Sequence, residues 1–157
     1  MGIELLEANV ENSNSVLEAE DSLVARGAEA LWIGGDVTVS VAADSVIAVA
    51  RRAHIPVFSI TPGKADRGTL FDYGADFYEI GKQTGELASQ ILRGADPVQI
   101  PITSVVPIRL IVNSTATNGL KQQWRIPDDI LRRASVVVDQ GGVHKRTVPD
   151  QEKITTD

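Results

Sequence analysis

Cysteine is absent from the 157 residues, which removes disulfides, thiolate nucleophiles and cysteine zinc sites from consideration. Histidine occurs only twice, and His144 has no neighbour at metal-ligand spacing. No run of about 18 apolar residues, the length a membrane helix needs, is present. The opening Met-Gly-Ile-Glu-Leu-Leu-Glu lacks the basic and apolar regions of a signal peptide. From that the chain is expected either to be cytoplasmic or to begin inside a longer protein. Basic residues are in the minority, 15 Lys and Arg against 21 Asp and Glu, for a net charge of -6 and a pI near 4.9. Nucleic acid and anionic membranes require a basic face, so neither is an expected partner. There is no Gly-x-Ser-x-Gly elbow, no dinucleotide fingerprint and no phosphate loop ending in Lys-Ser/Thr. No cofactor, no metal and no catalytic constellation is therefore expected.

What is present is a composition that is 43% hydrophobic, enough for one domain with a single core. Residues 30–33 form a short apolar run that stops at Gly34, Gly35 and Asp36, as a parallel-sheet strand covered on both faces does. Val39, Ala42, Ala43, Val46, Ile47, Ala50 and Ala53 recur at three- and four-residue steps and predict one helix from about Thr38. Asp36 or Thr38 can cap it, and Pro56 ends it after His54. Residues 57–60 give a second strand, broken by Thr61, Pro62 and Gly63. Strand, helix and strand make a right-handed βαβ unit. Small ligands bind beyond the carboxyl ends of strands in such sheets, here residues 35–38 and 59–66. A carboxylate in the Gly34-Gly35-Asp36 loop repels anions and suits a ligand amine or hydroxyl, alongside its capping use.

Around this unit, residues 3–10 read as a strand. Val16, Ala19, Leu23 and Val24 mark a helix capped at 12–15 and ended by Gly27. A helical turn is expected at 69–73, a short extended piece at 75–78, and a helix on Ile80, Leu87, Ala88, Ile91 and Leu92 that stops at Gly94. Residues 95–107 show no period and read as a crossing. A strand at 110–112 and a short helix from Ser114 or Thr115 follow, with a left-handed stop at Asn118-Gly119. Pro127, Asp128 and Asp129 open a last helix as cap and dipole partners, and residues 135–139 form a final strand. The domain is expected to span 1–139, with 140–157 a polar disordered tail. Trp32 reads as core and Trp124 as packing at a corner. Tyr73, Phe77 and Tyr78 are candidates to wall a pocket for an apolar ligand group.

The ordered set Gly27-Ala28-Glu29-Ala30-Leu31-Trp32-Ile33-Gly34-Gly35-Asp36, Ile55-Pro56-Val57-Phe58, Arg67-Gly68-Thr69-Leu70, Gly74-Ala75-Asp76-Phe77-Tyr78-Glu79-Ile80-Gly81, Gly85-Glu86-Leu87-Ala88 and Ile91-Leu92-Arg93-Gly94 resembles the carboxy-terminal half of the bacterial ABC-transporter substrate-binding proteins of the tryptophan/tyrosine type. The resemblance continues through Pro101, Asn113 and Ile126-Pro127-Asp128. It implies a truncated type I periplasmic-binding-protein lobe, an α/β, flavodoxin-like open parallel sheet flanked by helices. It also implies a receptor and not an enzyme, handing an amino-acid-like ligand to an ABC permease from the periplasm or a lipid anchor. A ligand-sensing regulatory domain of the same fold is the alternative. The residues it places in the cleft are Gly35, Asp36, Thr38, Ser59, Thr61 and Asp66. It places a hinge at Asp76 and Tyr78, with a return crossing near 101–107. Relatives often read Asp-Asn-Thr where this chain reads Asp36-Val37-Thr38, and often carry an aspartate in the loop that is Ile60-Thr61-Pro62-Gly63 here. The helix at 80–93 would pack on a first lobe, and a central strand preceding Ile3 is missing. From those two absences the chain is expected to self-associate, as a homodimer that swaps elements.

Overall fold

The structure is a computed structural model that describes residues 2–102, 105–146 and 154–155. Its elements in chain order are α1 (Val16–Ala25), β1 (Leu31–Ile33), α2 (Val37–Val41), α3 (Ala43–Ala53), β2 (Val57–Ser59), β3 (Phe71–Ala75), α4 (Phe77–Leu92), β4 (Val105–Val106), β5 (Ile108–Asn113), α5 (Asp128–Arg133), β6 (Val136–Asp139), β7 (Gly142–Lys145) and β8 (Ile154–Thr155). Six strands form one sheet in the order β1-β2-β3-β5-β6-β7, while β4 and β8 pair as a separate antiparallel ribbon. Strands β1, β2 and β3 are parallel, so their carboxyl ends share one edge of the sheet.

The sheet is mixed and not wholly parallel as expected. β5 runs antiparallel to β3, with Ala75 opposite Ile108, because the chain leaves the sheet after Ala75 and re-enters from the same edge. The amide of Asp76 donates to the carbonyl of Pro107 at 2.8 Å and pins exit to return. β7 is a second antiparallel member, paired on β6 from Val136–Lys145 to Asp139–Gly142. It falls in the stretch read as a disordered tail, of which residues 147–153 and 156–157 lie outside the described ones.

Burial follows a diagonal. Val16 of α1 and Ala43, Val46, Ile47, Val49 and Ala50 of α3 pack with Leu31, Ile33 and Val57 on one face of the β1–β2 half. Ile126, Ile130 and Leu131, around α5, pack with Leu110, Val112, Ala134 and Val137 at the β5–β6 half, joined by Phe71 and Tyr73. Trp32 therefore corrects the reading of a strand covered on both faces. β1 is an edge strand, its helices cover only the face of Leu31 and Ile33, and Trp32 is 63% exposed. Trp124 does pack at a corner, its ring centroid 5.7 Å from that of Phe58.

Other differences have local causes. Residues 3–10 carry no regular secondary structure, with Leu6, Ala8 and Val10 half-buried, and no strand among the described residues pairs with them. The helix expected from Thr38 is two helices meeting at Ala42, just beyond the run Val37-Thr38-Val39-Ser40-Val41, whose branched side chains crowd a helical turn. The turn expected at 69–73 is instead strand β3, since pairing with both β2 and β5 overrides local composition. The helical turn sits earlier, at Ala65–Arg67. α4 starts at Phe77, within the piece read as extended, because Asp76 caps it by accepting from the amides of Tyr78 and Glu79. No residue of α4 is buried, and none of the helices described is long and apolar enough to cross a membrane.

Two glycines separate by sign. A Cβ on Gly74 would lie 1.7 Å from the carbonyl oxygen of Ile60, whereas one on Gly81, inside α4, would meet nothing within 4 Å. Gly74→Ala is expected to destabilise by about 2 kcal/mol or more through forced backbone movement. Gly81→Ala is expected to be neutral or stabilising by up to about 1 kcal/mol. Urea denaturation of both variants checks the pair.

Candidate functional site at the carboxyl ends of β1 and β2

Two loops leave the sheet side by side on this edge. The amide of Ile60 donates to the carbonyl of Ile33 at 3.2 Å, and a Cβ on Gly35 would rest 3.4 Å from the Ile60 side chain. The structure thus brings residues 35–38 against residues 59–61. Asp36 is exposed and caps α2, Oδ1 accepting from the Val39 amide at 3.0 Å. Its second oxygen has no protein partner among the described residues. Thr38 sits half-buried in the first turn of α2. Ser59 is set apart from the other expected contacts: it is 2% exposed. Its hydroxyl accepts from the Thr61 amide at 3.0 Å and donates to the Thr61 carbonyl at 3.2 Å. Ser59 shapes the loop through these two bonds, while Thr61 is half-buried and Asp66 is exposed.

The rest of that loop is held from below by a residue the sequence pattern did not single out. Asp72, the second residue of β3 and 0% exposed, accepts through Oδ2 from the amides of Gly63, Lys64 and Ala65 at 3.0, 2.7 and 2.9 Å. Its Oδ1 accepts from the Thr69 hydroxyl at 2.6 Å. The Asn113 side-chain amide donates to the Ala65 carbonyl at 2.6 Å, tying the loop to β5. Gly63 supplies the positive φ of 107° that turns consecutive amides inward. At the far end of the loop, Arg67 donates through Nε to Asp44, in the first turn of α3, at 2.7 Å. The hydrogen bond from Arg67, reinforced by the charges of Arg67 and Lys64, holds the Asp44 carboxyl below the usual carboxylate range.

At the third strand end, Asp76 is buried, and its carboxylate lies 3.9 Å from Arg109 while capping α4. Tyr78 and Phe77 are exposed on the first turn of α4, whereas Tyr73 joins the core beneath α5. The opposite edge of the sheet carries both histidines. His54 ends α3 in the left-handed region, φ 57°, and its Nδ1 donates to the Gly119 carbonyl at 2.7 Å. His144 lies 2.9 Å from Asp139 in an open cleft of about 590 Å³ that Ser114, Thr115 and Asn118 also line.

Residues 1–138 match the ABC transporter substrate binding protein family. The chain belongs to that family. Over 127 residues it is 28% identical to the tyrosine-binding protein of Clostridioides difficile (strain R20291), a stretch covering 81% of this chain and 36% of that protein. A conserved domain protein from Vibrio cholerae O1 biovar eltor superposes with a TM-score of 0.70 at 30% identity, over 87% of this chain and 45% of that one. The ABC domain from Streptococcus pneumonia in complex with L-Trp shares the fold, with a TM-score of 0.67 at 21% identity over 82% of this chain and 43% of that one. This substrate-binding family member thus spans less than half the length of each of these relatives.

Replacing Arg67 by Gln is expected to raise the Asp44 titration toward the ordinary carboxylate value, read by NMR as a function of pH. A carboxyl depressed in the folded state contributes stability above its unfolded-state pKa and loses it as pH falls through the folded one. The difference in stability between Arg67→Gln and the parent is therefore expected at neutral pH and to vanish in acid.

Proposed function

We propose that this chain supplies the second ligand-binding lobe of a solute receptor for an ABC transport system, taking an amino acid or a similar small zwitterion at the carboxyl ends of β1 and β2. The observation that carries the reading is the state of Asp36. One of its oxygens is committed to the α2 cap, and the other is left open beside hydroxyl-bearing loops on the edge where α/β sheets bind ligands. In this account the open oxygen of Asp36 accepts from the ligand amine, with Asp66 as a second acceptor. The hydroxyls of Thr38 and Thr61 and nearby amides hold the carboxylate, and Gly35 lets the ligand approach the backbone closely. Ser59 supports the loop without touching ligand. The tyrosine-binding relative supports the amino-acid class. The receptor works outside the membrane, periplasmic or lipid-anchored, and delivers its ligand to permease subunits when the cleft closes about Asp76 and Tyr78.

The same account has a second copy of the chain covering what this fold leaves bare, namely Trp32 on the edge strand β1 and the exposed apolar residues of α4, Phe77, Tyr78, Leu87, Ile91 and Leu92. Both are apolar surfaces of the kind that associate. Light scattering is expected to report a dimer that Trp32→Arg weakens; a monodisperse monomer contradicts it.

The test of the site is Asp36→Ser. Serine is as good a helix cap as aspartate, so the melting temperature without ligand is expected to stay near the parent's. Affinity for L-tyrosine or L-tryptophan, by calorimetry, is expected to fall about tenfold or more through loss of the amine's charged acceptor. Unchanged affinity for an amino acid that the parent binds would overturn the assignment of Asp36.

A further inference from the structure

We infer that Asp72 is the positioning residue of the ligand-facing loop, acting as the internal anion of an anion-binding nest formed by residues 63–65. The inference rests on the ligand-binding reading above for its function, though not for its geometry. Three consecutive backbone amides, those of Gly63, Lys64 and Ala65, converge on one carboxylate oxygen. Such convergence of successive N–H groups is how proteins cradle phosphates and other anions. Here the anion belongs to the protein itself, delivered from the start of β3. None of the ion pairs among the described residues includes Asp72. The amides and the Thr69 hydroxyl together take the place of the water a buried carboxylate loses.

The arrangement has a consequence for recognition. The backbone donors of 63–65 all point inward, and the Ala65 carbonyl is taken by Asn113. Thr61 and Asp66, at either side of the nest, are thereby turned outward from a segment that cannot change shape while the carboxylate is in place. The loop's fit to a ligand is therefore set from beneath, by a residue no ligand touches. Removing the carboxylate leaves the sheet intact but leaves the nest open to an exogenous anion of the same chemistry.

The experiment is amide hydrogen exchange by NMR on the parent, Asp72→Ala and Asp72→Asn, each with and without sodium formate. In Asp72→Ala, exchange at Gly63, Lys64 and Ala65 is expected to accelerate about tenfold or more relative to Leu31 and Ile33 of β1. Formate is expected to restore protection selectively at those three amides. Asp72→Asn, whose carbonyl can still accept, is expected to fall between, and it serves as the readout if the alanine variant does not fold. Loss of protection spread evenly over the sheet with no response to formate, or unchanged protection at 63–65 in a folded variant, would overturn the inference. Amino-acid affinity measured on the same samples is expected to follow the three amides, lost in Asp72→Ala and regained with formate. Should the amides respond while the parent itself binds no amino acid, the nest stands and the transport reading falls.

Discussion

A single buried carboxylate organises the edge of the sheet at the carboxyl ends of β1 and β2. Asp72 lies between two strands that run in opposite directions, pairing beside Ser59 on one side and Ile111 on the other. A charge at that position is tolerable only with its hydrogen-bonding capacity filled, and the donors that fill it come from the loop leaving the neighbouring strand. Burial of the charge and shape of the loop are thus one requirement. Gly74, two residues on, completes it: the Ile60 carbonyl passes so close that no side chain fits. The loop is held at its start by Ser59 and Gly74, in its middle by Asp72 and Asn113, and at its end by the Arg67–Asp44 pair.

The diagonal covering of the sheet explains the other half of the molecule's character. Helices α1 and α3 protect one face near β1, α5 and its flanks protect the sheet near β6, and Trp32 is left in solvent on an open edge. α4 carries an apolar stripe in which Leu87 and Ile91 are exposed and Ile80 is only half-buried. The stretch matched in this chain covers 36% of the tyrosine-binding relative and 45% of the Vibrio cholerae one.

Much of this was legible from residue patterns. The βαβ unit, the apolar face of α3, the cap at Asp36 and the left-handed stop at Gly119 all follow from local chemistry that the fold leaves undisturbed, whereas the cap at Asp76 lies in a stretch that reads as extended. The loops at 35–38 and 59–61 could be paired because parallel strands force their carboxyl ends together. What sequence did not reveal depends on contacts between distant segments. Asp72 sits in Thr69-Leu70-Phe71-Asp72-Tyr73, whose mixed polarity reads as a turn until two neighbouring strands are supplied. Its alternation with Phe71 and Tyr73 was the signal available. Ser59 reads as a ligand hydroxyl by resemblance, and nothing local shows that its hydroxyl bonds back to Thr61. Trp32 looked like core because its neighbours Leu31 and Ile33 are, and only the strand order shows that it borders an edge.

The central claim is that ligand is recognised by the two loops at the carboxyl ends of β1 and β2. The most direct measurement is a titration of the 15N-labelled chain with L-tyrosine and L-tryptophan, following every assigned amide. The account expects shifts concentrated at residues 35–38 and 61–66, with the amides of β6 and β7 unmoved. Shifts confined to the opposite edge, around His54 and residues 119–124 or around His144, would contradict it. So would the absence of any shift at ligand concentrations of about 10 mM, beyond which binding carries only about 3 kcal/mol.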